Sequence, residues 1–163
     1  MDKNFIKKYD FDIYKLSDKK PIYRTKNYFI KLFLITEHEK ARNEYVLHKK
    51  AYEMGIPCPK IIDFFLEDDY YILIMELLPG KSLADIYGDN SKNIPKDYWK
   101  QIHQIVYKLY YNDIHYRDIT SYNFMLVKDK IYIIDFGDAE YVKVNWFLKD
   151  FLDGSNSWNP DYA

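Results

Sequence analysis

Residues 114 to 137, Ile-His-Tyr-Arg-Asp-Ile-Thr-Ser-Tyr-Asn-Phe-Met-Leu-Val-Lys-Asp-Lys-Ile-Tyr-Ile-Ile-Asp-Phe-Gly, constrain this chain more than any other stretch. Two short apolar runs, Phe124 to Val127 and Ile131 to Ile134, flank the polar trio Lys128-Asp129-Lys130. Runs of that length around a tight polar turn predict a β-hairpin. Asn123 precedes one strand and Asp135 follows the other, so the open end of the hairpin sets them side by side. Asp118 stands five residues before Asn123. Two oxygen donors converging at one point suit Mg²⁺, which keeps several waters and meets substrate phosphates through few protein ligands. Asp and Asn are also good turn residues, and a purely structural role is the plain alternative for Asp118 and Asn123.

The 163 residues suffice for one domain or two small lobes, and 48% apolar content supports a real core. Lys and Arg (24) nearly balance Asp and Glu (25), so no global basic field points to nucleic acid as the main partner. Cys58 is alone, in Ile56-Pro57-Cys58-Pro59, and reads as a small buried loop residue. The sequence from Met1 lacks the apolar run of a signal peptide, and no run is long enough to span a bilayer. These features set the expectation of a cytoplasmic protein.

Read in order, Phe11 to Leu16 and Ile22 to Thr25 are two strands around the turn Ser17-Asp18-Lys19-Lys20-Pro21. Tyr28 to Ile35 is a third strand, with Phe29, Lys31 and Phe33 on one face. A Lys between two Phe asks for a reason; a snorkelling stem is the ordinary one. Glu37 to Met54 has helical spacing, and Gly55 and Pro57 end it. Its stripe of Ala41, Glu44, Leu47, Ala51 and Met54 contains one carboxylate, which needs a partner if buried. Lys31 is one candidate; solvent or His48 at the stripe's edge is the other. Ile61 to Leu66 and Tyr70 to Glu76 form a second hairpin around Glu67-Asp68-Asp69. Pro79-Gly80 marks a lobe boundary. Ser82 caps a short helix to Tyr87, and Pro95 opens a long one to about Asn112. Val144 to Leu152 forms a last helix with Asn145 as its cap, and residues 154–160 read as a loose tail.

The central stretch resembles the catalytic loop and metal-binding turn of protein kinases, H-R-D-L-x-x-x-N followed by D-F-G. Tyr116-Arg117-Asp118 stands for H-R-D, with Tyr for His, and Ile119 stands for Leu; Asn123 and Asp135-Phe136-Gly137 match in identity and spacing. Upstream, Tyr28-Phe29-Ile30-Lys31 stands where kinases carry V-A-I-K. The chain is most similar to the small lineages of that fold: the KEOPS-complex kinase, RIO-type kinases and bacterial lipopolysaccharide kinases. The resemblance implies an α+β, two-lobed protein-kinase-like fold. Residues 1–78 form a small lobe of antiparallel sheet and helix, and 79–163 a truncated helical large lobe.

The same resemblance implies an ATP- and Mg²⁺-dependent phosphotransferase, first of all a small serine/threonine protein kinase. Asp118 would be the catalytic base, with Arg117 and Lys31 as catalytic partners. Lys31, braced by Glu44, would hold the nucleotide phosphates. The Glu76 carbonyl and Leu78 amide would meet adenine. Asn123 and Asp135 would hold the metal. The acceptor would be a hydroxyl of a protein or small molecule. The turn at 17–21 has no glycine where kinases have a glycine-rich loop, and Phe29 replaces a small residue facing adenine. Only 26 residues follow Gly137 (163 − 137), so the large lobe is short. These departures leave room for a protein partner completing that lobe, a small-molecule kinase, a partner-dependent ATPase or a pseudokinase binding module. Arg117 matches a family arginine whose usual phosphorylated partner is not evident in the sequence.

Overall fold

The computed structural model describes residues 14–15, 22–88, 90–156 and 158–159, the first pair by backbone alone. The turn at 17–21, with Ser17 and Lys19, lies outside the described residues, as do Phe11 to Ile13 and Leu16. The chain divides into two compact units. One takes the described residues up to Arg42 together with Lys60–Leu77; the other takes Asn43–Pro59 and the described residues from Leu78 on.

The first unit is an antiparallel sheet. Its strands are β1 (Tyr14–Lys15), β2 (Ile22–Arg24), β3 (Tyr28–Leu34), β4 (Ile61–Glu67) and β5 (Tyr70–Glu76), in the order β1-β2-β3-β5-β4. Period-2 alternation sorts β3 as its sequence predicts. Ile30 and Leu32 pack with Ile72 and Ile74 on one face. Lys31 lies on the other, in register with Ile22 and Leu73, and is buried. Ile35 leaves the strand for a 3-10 turn, where the Glu37 carboxylate accepts the Leu34 amide at 3.0 Å. Asp68, at φ +52°, turns the chain between β4 and β5.

Helix α1 (His38–Glu53) begins in the first unit and continues in the second. Gly55 stops it. At φ +71° it donates to the Tyr52 carbonyl at 2.9 Å, while the Ile56 amide reaches back to Ala51 at 3.0 Å. This is the Schellman pattern, which glycine favours because a Cβ strains the left-handed region.

In the second unit, β6 (Lys81–Ser82) leads into α2 (Leu83–Tyr87). Ser82 Oγ accepts the Asp85 amide at 3.0 Å, and Asp85 accepts the Ser82 amide at 3.3 Å, a reciprocal cap. Helix α3 (Lys96–Tyr111) buries Trp99, Ile102, Ile105, Val106 and Leu109, the 3- and 4-residue spacing of one helix face. Two small sheets follow. β7 (Ile114–Tyr116) pairs with β10 (Ala139–Tyr141), and β8 (Phe124–Val127) lies between β6 and β9 (Lys130–Ile133). Helix α4 (Trp146–Leu152) starts at Asn145, whose side chain accepts the Leu148 amide at 3.1 Å. Cys58 is buried, which pushes its thiol up to about 12. Among the described residues no helix is long and apolar enough to cross a membrane.

Two features depart from the expectations. The segment after Gly137 forms β10, a strand the sequence pattern does not announce. The loose tail is not loose where it is described. Trp158 stacks on Phe124 with ring centroids 5.7 Å apart and lies 4.8 Å from Trp99. Asn159 is fully buried, donating from Nδ2 to the Phe151 carbonyl at 3.0 Å and to His103 Nε2 at 2.8 Å. Aromatic area closes the core there, and the amide satisfies backbone left open at the end of α4.

A Cβ on Gly80 would lie 2.2 Å from the Leu126 carbonyl oxygen, whereas one on Gly88 would meet nothing within 4 Å. Gly80→Ala therefore loses stability through overpacking, by roughly 1–3 kcal/mol. Gly88→Ala meets open space but strains the backbone, because φ +74° with ψ −166° is a region essentially confined to glycine, at a cost of about 1–3 kcal/mol. Both variants should show urea midpoints below wild type, and trimming Val127 should not rescue Gly80→Ala, whose clash is with the Leu126 backbone.

Candidate active site

The second unit carries the catalytic-loop residues, and local backbone chemistry fixes them. β7 ends at Tyr116, and a 3-10 turn at Ser121–Asn123 precedes β8. The hairpin of β8 and β9 has the predicted register, with Phe124 opposite Ile133 and Val127 opposite Lys130. Its open end is closed by the Ile134 amide donating to the Asn123 carbonyl at 2.9 Å. Asn123 and Asp135 are thus neighbours across the hairpin, as the spacing requires.

Asn123 is buried and donates from Nδ2 to Asp118 twice, to Oδ2 at 2.7 Å and to the carbonyl at 2.9 Å. Two acceptors on one side fix the orientation of the amide, since its oxygen cannot face them. Asn123 Oδ1 therefore points away from Asp118. Asp135 sits at φ +62°, in the left-handed region that Asp tolerates better than most residues. Its Oδ1 accepts the Gly137 amide at 3.1 Å, a turn of the kind Asp side chains make with their own backbone. One amide oxygen and one carboxylate form a hard-oxygen pair that fits Mg²⁺. Among the described residues no group of three or more His, Cys, Asp or Glu gathers for a metal, so two protein ligands would leave most of the coordination to water and substrate.

Around this pair the unit is tightly filled. Phe136 is fully buried between the His48 ring, 4.7 Å away and stacked, and the Tyr116 ring, 5.6 Å away and edge-on. Tyr116 donates its hydroxyl to the Ile134 carbonyl at 2.5 Å. Burial pushes that hydroxyl well above the usual tyrosine value, and the carboxylates of Asp135, Asp118, Glu44 and Asp138 push it further. It is a fixed neutral donor anchoring the residue before Asp135. Glu44 lies within its helical stripe, 1% exposed, not at the edge. A Cβ on Gly137 would stand 3.2 Å from Glu44 Oε2 and 3.1 Å from Asp135 Oδ1, so glycine lets the two carboxylates approach the turn.

Asp118 and Arg117 are exposed, and Arg117 Nη2 meets Glu140 Oε2 at 2.7 Å. Glu140 escaped the sequence reading, as did Asn43, which donates from Nδ2 to the Ala139 carbonyl at 2.7 Å. These contacts join positions far apart in sequence, and no local pattern announces them. In the first unit, Lys31 is buried on β3 and Glu76 is exposed at the end of β5. The Glu76 carboxylate accepts the Lys60 amide at 3.3 Å. Leu78, buried, opens the second unit, and its carbonyl accepts the Gly80 amide at 2.9 Å.

The raised Tyr116 value has a sign. The unfolded chain ionises this hydroxyl near 10, while the folded chain keeps the proton. The stability this group contributes is therefore complete below pH 10 and is lost as pH rises above it. Tyr116→Phe should flatten that alkaline decline in a series of urea melts. At neutral pH it should cost about 1–2 kcal/mol, because the Ile134 carbonyl loses its donor.

Comparison with known proteins bears on the same residues. The protein kinase domain family matches residues 14–159. A probable bifunctional tRNA threonylcarbamoyladenosine biosynthesis protein of Methanocaldococcus jannaschii is 39% identical over 85 residues, 52% of this chain and 14% of the relative. The EKC/KEOPS complex subunit BUD32 of Enterocytozoon bieneusi is 30% identical over 128 residues, covering 71% of this chain and 61% of the relative. The KEOPS complex subunit Bud32 of Pyrococcus abyssi is 26% identical over 103 residues, 63% of this chain and 46% of the relative. The chain thus spans less than two thirds of each of these relatives. The family match runs from β1 to Asn159, through the hairpin that sets Asn123 beside Asp135, and this chain belongs to the protein kinase domain family.

Proposed function

We propose that the chain is an ATP- and Mg²⁺-dependent phosphotransferase acting on an alcohol group, foremost a small serine/threonine protein kinase. The observation that carries this reading is the joined set Asp118–Asn123–Asp135, held by side-chain bonds and by the closed hairpin. In the reaction the acceptor oxygen bonds to the γ-phosphorus as the bond from that phosphorus to the β,γ-bridging oxygen breaks, and ADP leaves. Asp118 orients the acceptor hydroxyl and receives its proton. The Asn123 bond to Asp118 Oδ2 fixes one carboxylate oxygen and so the direction in which the other faces. Asn123 and Asp135 would hold Mg²⁺, whose charge would offset that of the phosphate oxygens. By their match to the family's motif positions, Lys31 would hold the phosphates and Glu44 would brace it, and the Glu76 carbonyl and Leu78 amide would receive adenine.

A partner-dependent form of the same chemistry has its own support. Two of the relatives named above are subunits of KEOPS complexes. A protein partner supplying acceptor contacts is part of this proposal.

Two measurements test it. With labelled ATP, Mg²⁺ and generic protein and small-molecule acceptors, the wild type should transfer phosphate or hydrolyse ATP. Asp118→Ala should lose roughly 10²- to 10⁴-fold, the range for a general base. Saturating MgATP should raise the melting temperature by roughly 5–10 °C. Asp135→Ala should abolish that rise. A wild type with no shift and no turnover would replace this reading with a binding module of kinase fold.

A further inference from the structure

The segment after the metal-binding turn is tied down by several independent contacts. β10 pairs with β7 through Ala139–Tyr116, Glu140–His115 and Tyr141–Ile114. Asn43 holds the Ala139 carbonyl, and the Val142 amide donates to the Asp113 carbonyl at 2.9 Å. Tyr141 donates to Asp113 Oδ2 at 3.3 Å, and the Lys50 ammonium lies 4.4 Å from the centre of its ring. The register has a consequence for charge. Glu140 stands opposite His115, so their side chains share a face of the ribbon. Arg117 is two residues beyond His115 and returns to that face. The diagonal places Glu140 and Arg117 together, and their 2.7 Å contact is the result. His115 responds to both: burial holds it below the usual value, Arg117 lowers it further, and Glu140 opposes them.

We infer that Glu140 is a positioning residue for the catalytic loop, its carboxylate holding Arg117 and through it the exposed Asp118. Arg117 is covalent neighbour to Asp118, and nothing but backbone separates the clamp from the base. Glu140 lies on β10, which its ladder with β7 holds in register with the residues that lead into the loop. The carboxylate is part of the chain, so the clamp needs no added phosphate. This inference rests on the phosphotransferase reading.

The test compares Glu140→Gln and Glu140→Asp with wild type. Both side chains are about half exposed, and such an ion pair is worth at most about fivefold in rate. Glu140→Gln should lower kcat by about that factor with the KM for ATP unchanged, and Glu140→Asp should restore part of it. Wild-type turnover should fall toward the variant's as salt screens the pair, while the variant's salt response is flatter. Hydrogen exchange of amides 117–123 should quicken in Glu140→Gln. With an active wild type, an unchanged or raised kcat in Glu140→Gln overturns the inference and leaves the kinase reading standing. With an inactive wild type the kinase reading fails, and exchange alone decides whether Glu140 orders the loop; unchanged exchange overturns it.

Discussion

The hydrogen bond from the Ile134 amide to the Asn123 carbonyl closes the open end of one hairpin, and the candidate chemistry depends on it. It brings the last residue before one strand against the first residues after the other. Every other part of the arrangement attaches to one of those two ends. Asn123 Nδ2 donates to two oxygens of Asp118, while Ile134 is held a second time by the Tyr116 hydroxyl on its carbonyl. Asp135 can then occupy the left-handed region, because its neighbours on both sides are bonded in place. A strained residue of this kind persists only where its surroundings over-determine it.

Burial supplies the rest of the rigidity. Phe136 is enclosed by aromatic rings from α1 and β7, so the turn after β9 is anchored in the core of its unit. Glu44 shares that interior, and its carboxylate comes close to the Gly137 backbone. A carboxylate so placed is costly unless it is satisfied, which makes it an expensive residue to keep for packing alone. Several acidic groups therefore crowd one small region. Burial first, and the same crowding second, keep the Tyr116 hydroxyl neutral and available as a donor.

Much of this was legible along the chain, for a physical reason. α3 and the inner stripe of α1 repeat apolar residues at 3 and 4, so one window of sequence records which face is buried, whereas Ile30 to Phe33 of β3 are buried in succession on both faces. Asp118, Asn123 and Asp135 were legible because loop and hairpin lengths set their distances. β7 and β10 were not. Each is three residues long, too short for a period to show, and their pairing spans the whole hairpin between them. Asn43 bonding to Ala139 crosses 96 positions. Trp158 and Asn159 sit in a stretch of Gly, Ser and Asn, whose composition reads as loop although Asn159 is buried and Trp158 packs against the core.

The sequence by itself determined the order of elements, the hairpin and the set of oxygen-bearing residues at its mouth, because these follow from short-range geometry and side-chain chemistry. Only the tertiary structure decided what holds them. It placed Glu140 on Arg117, the Tyr116 hydroxyl on Ile134, and Glu44 against Gly137. Such contacts depend on how separate segments pack and on the register of strands far apart in the chain. A linear pattern does not encode a register until the partner strand is known.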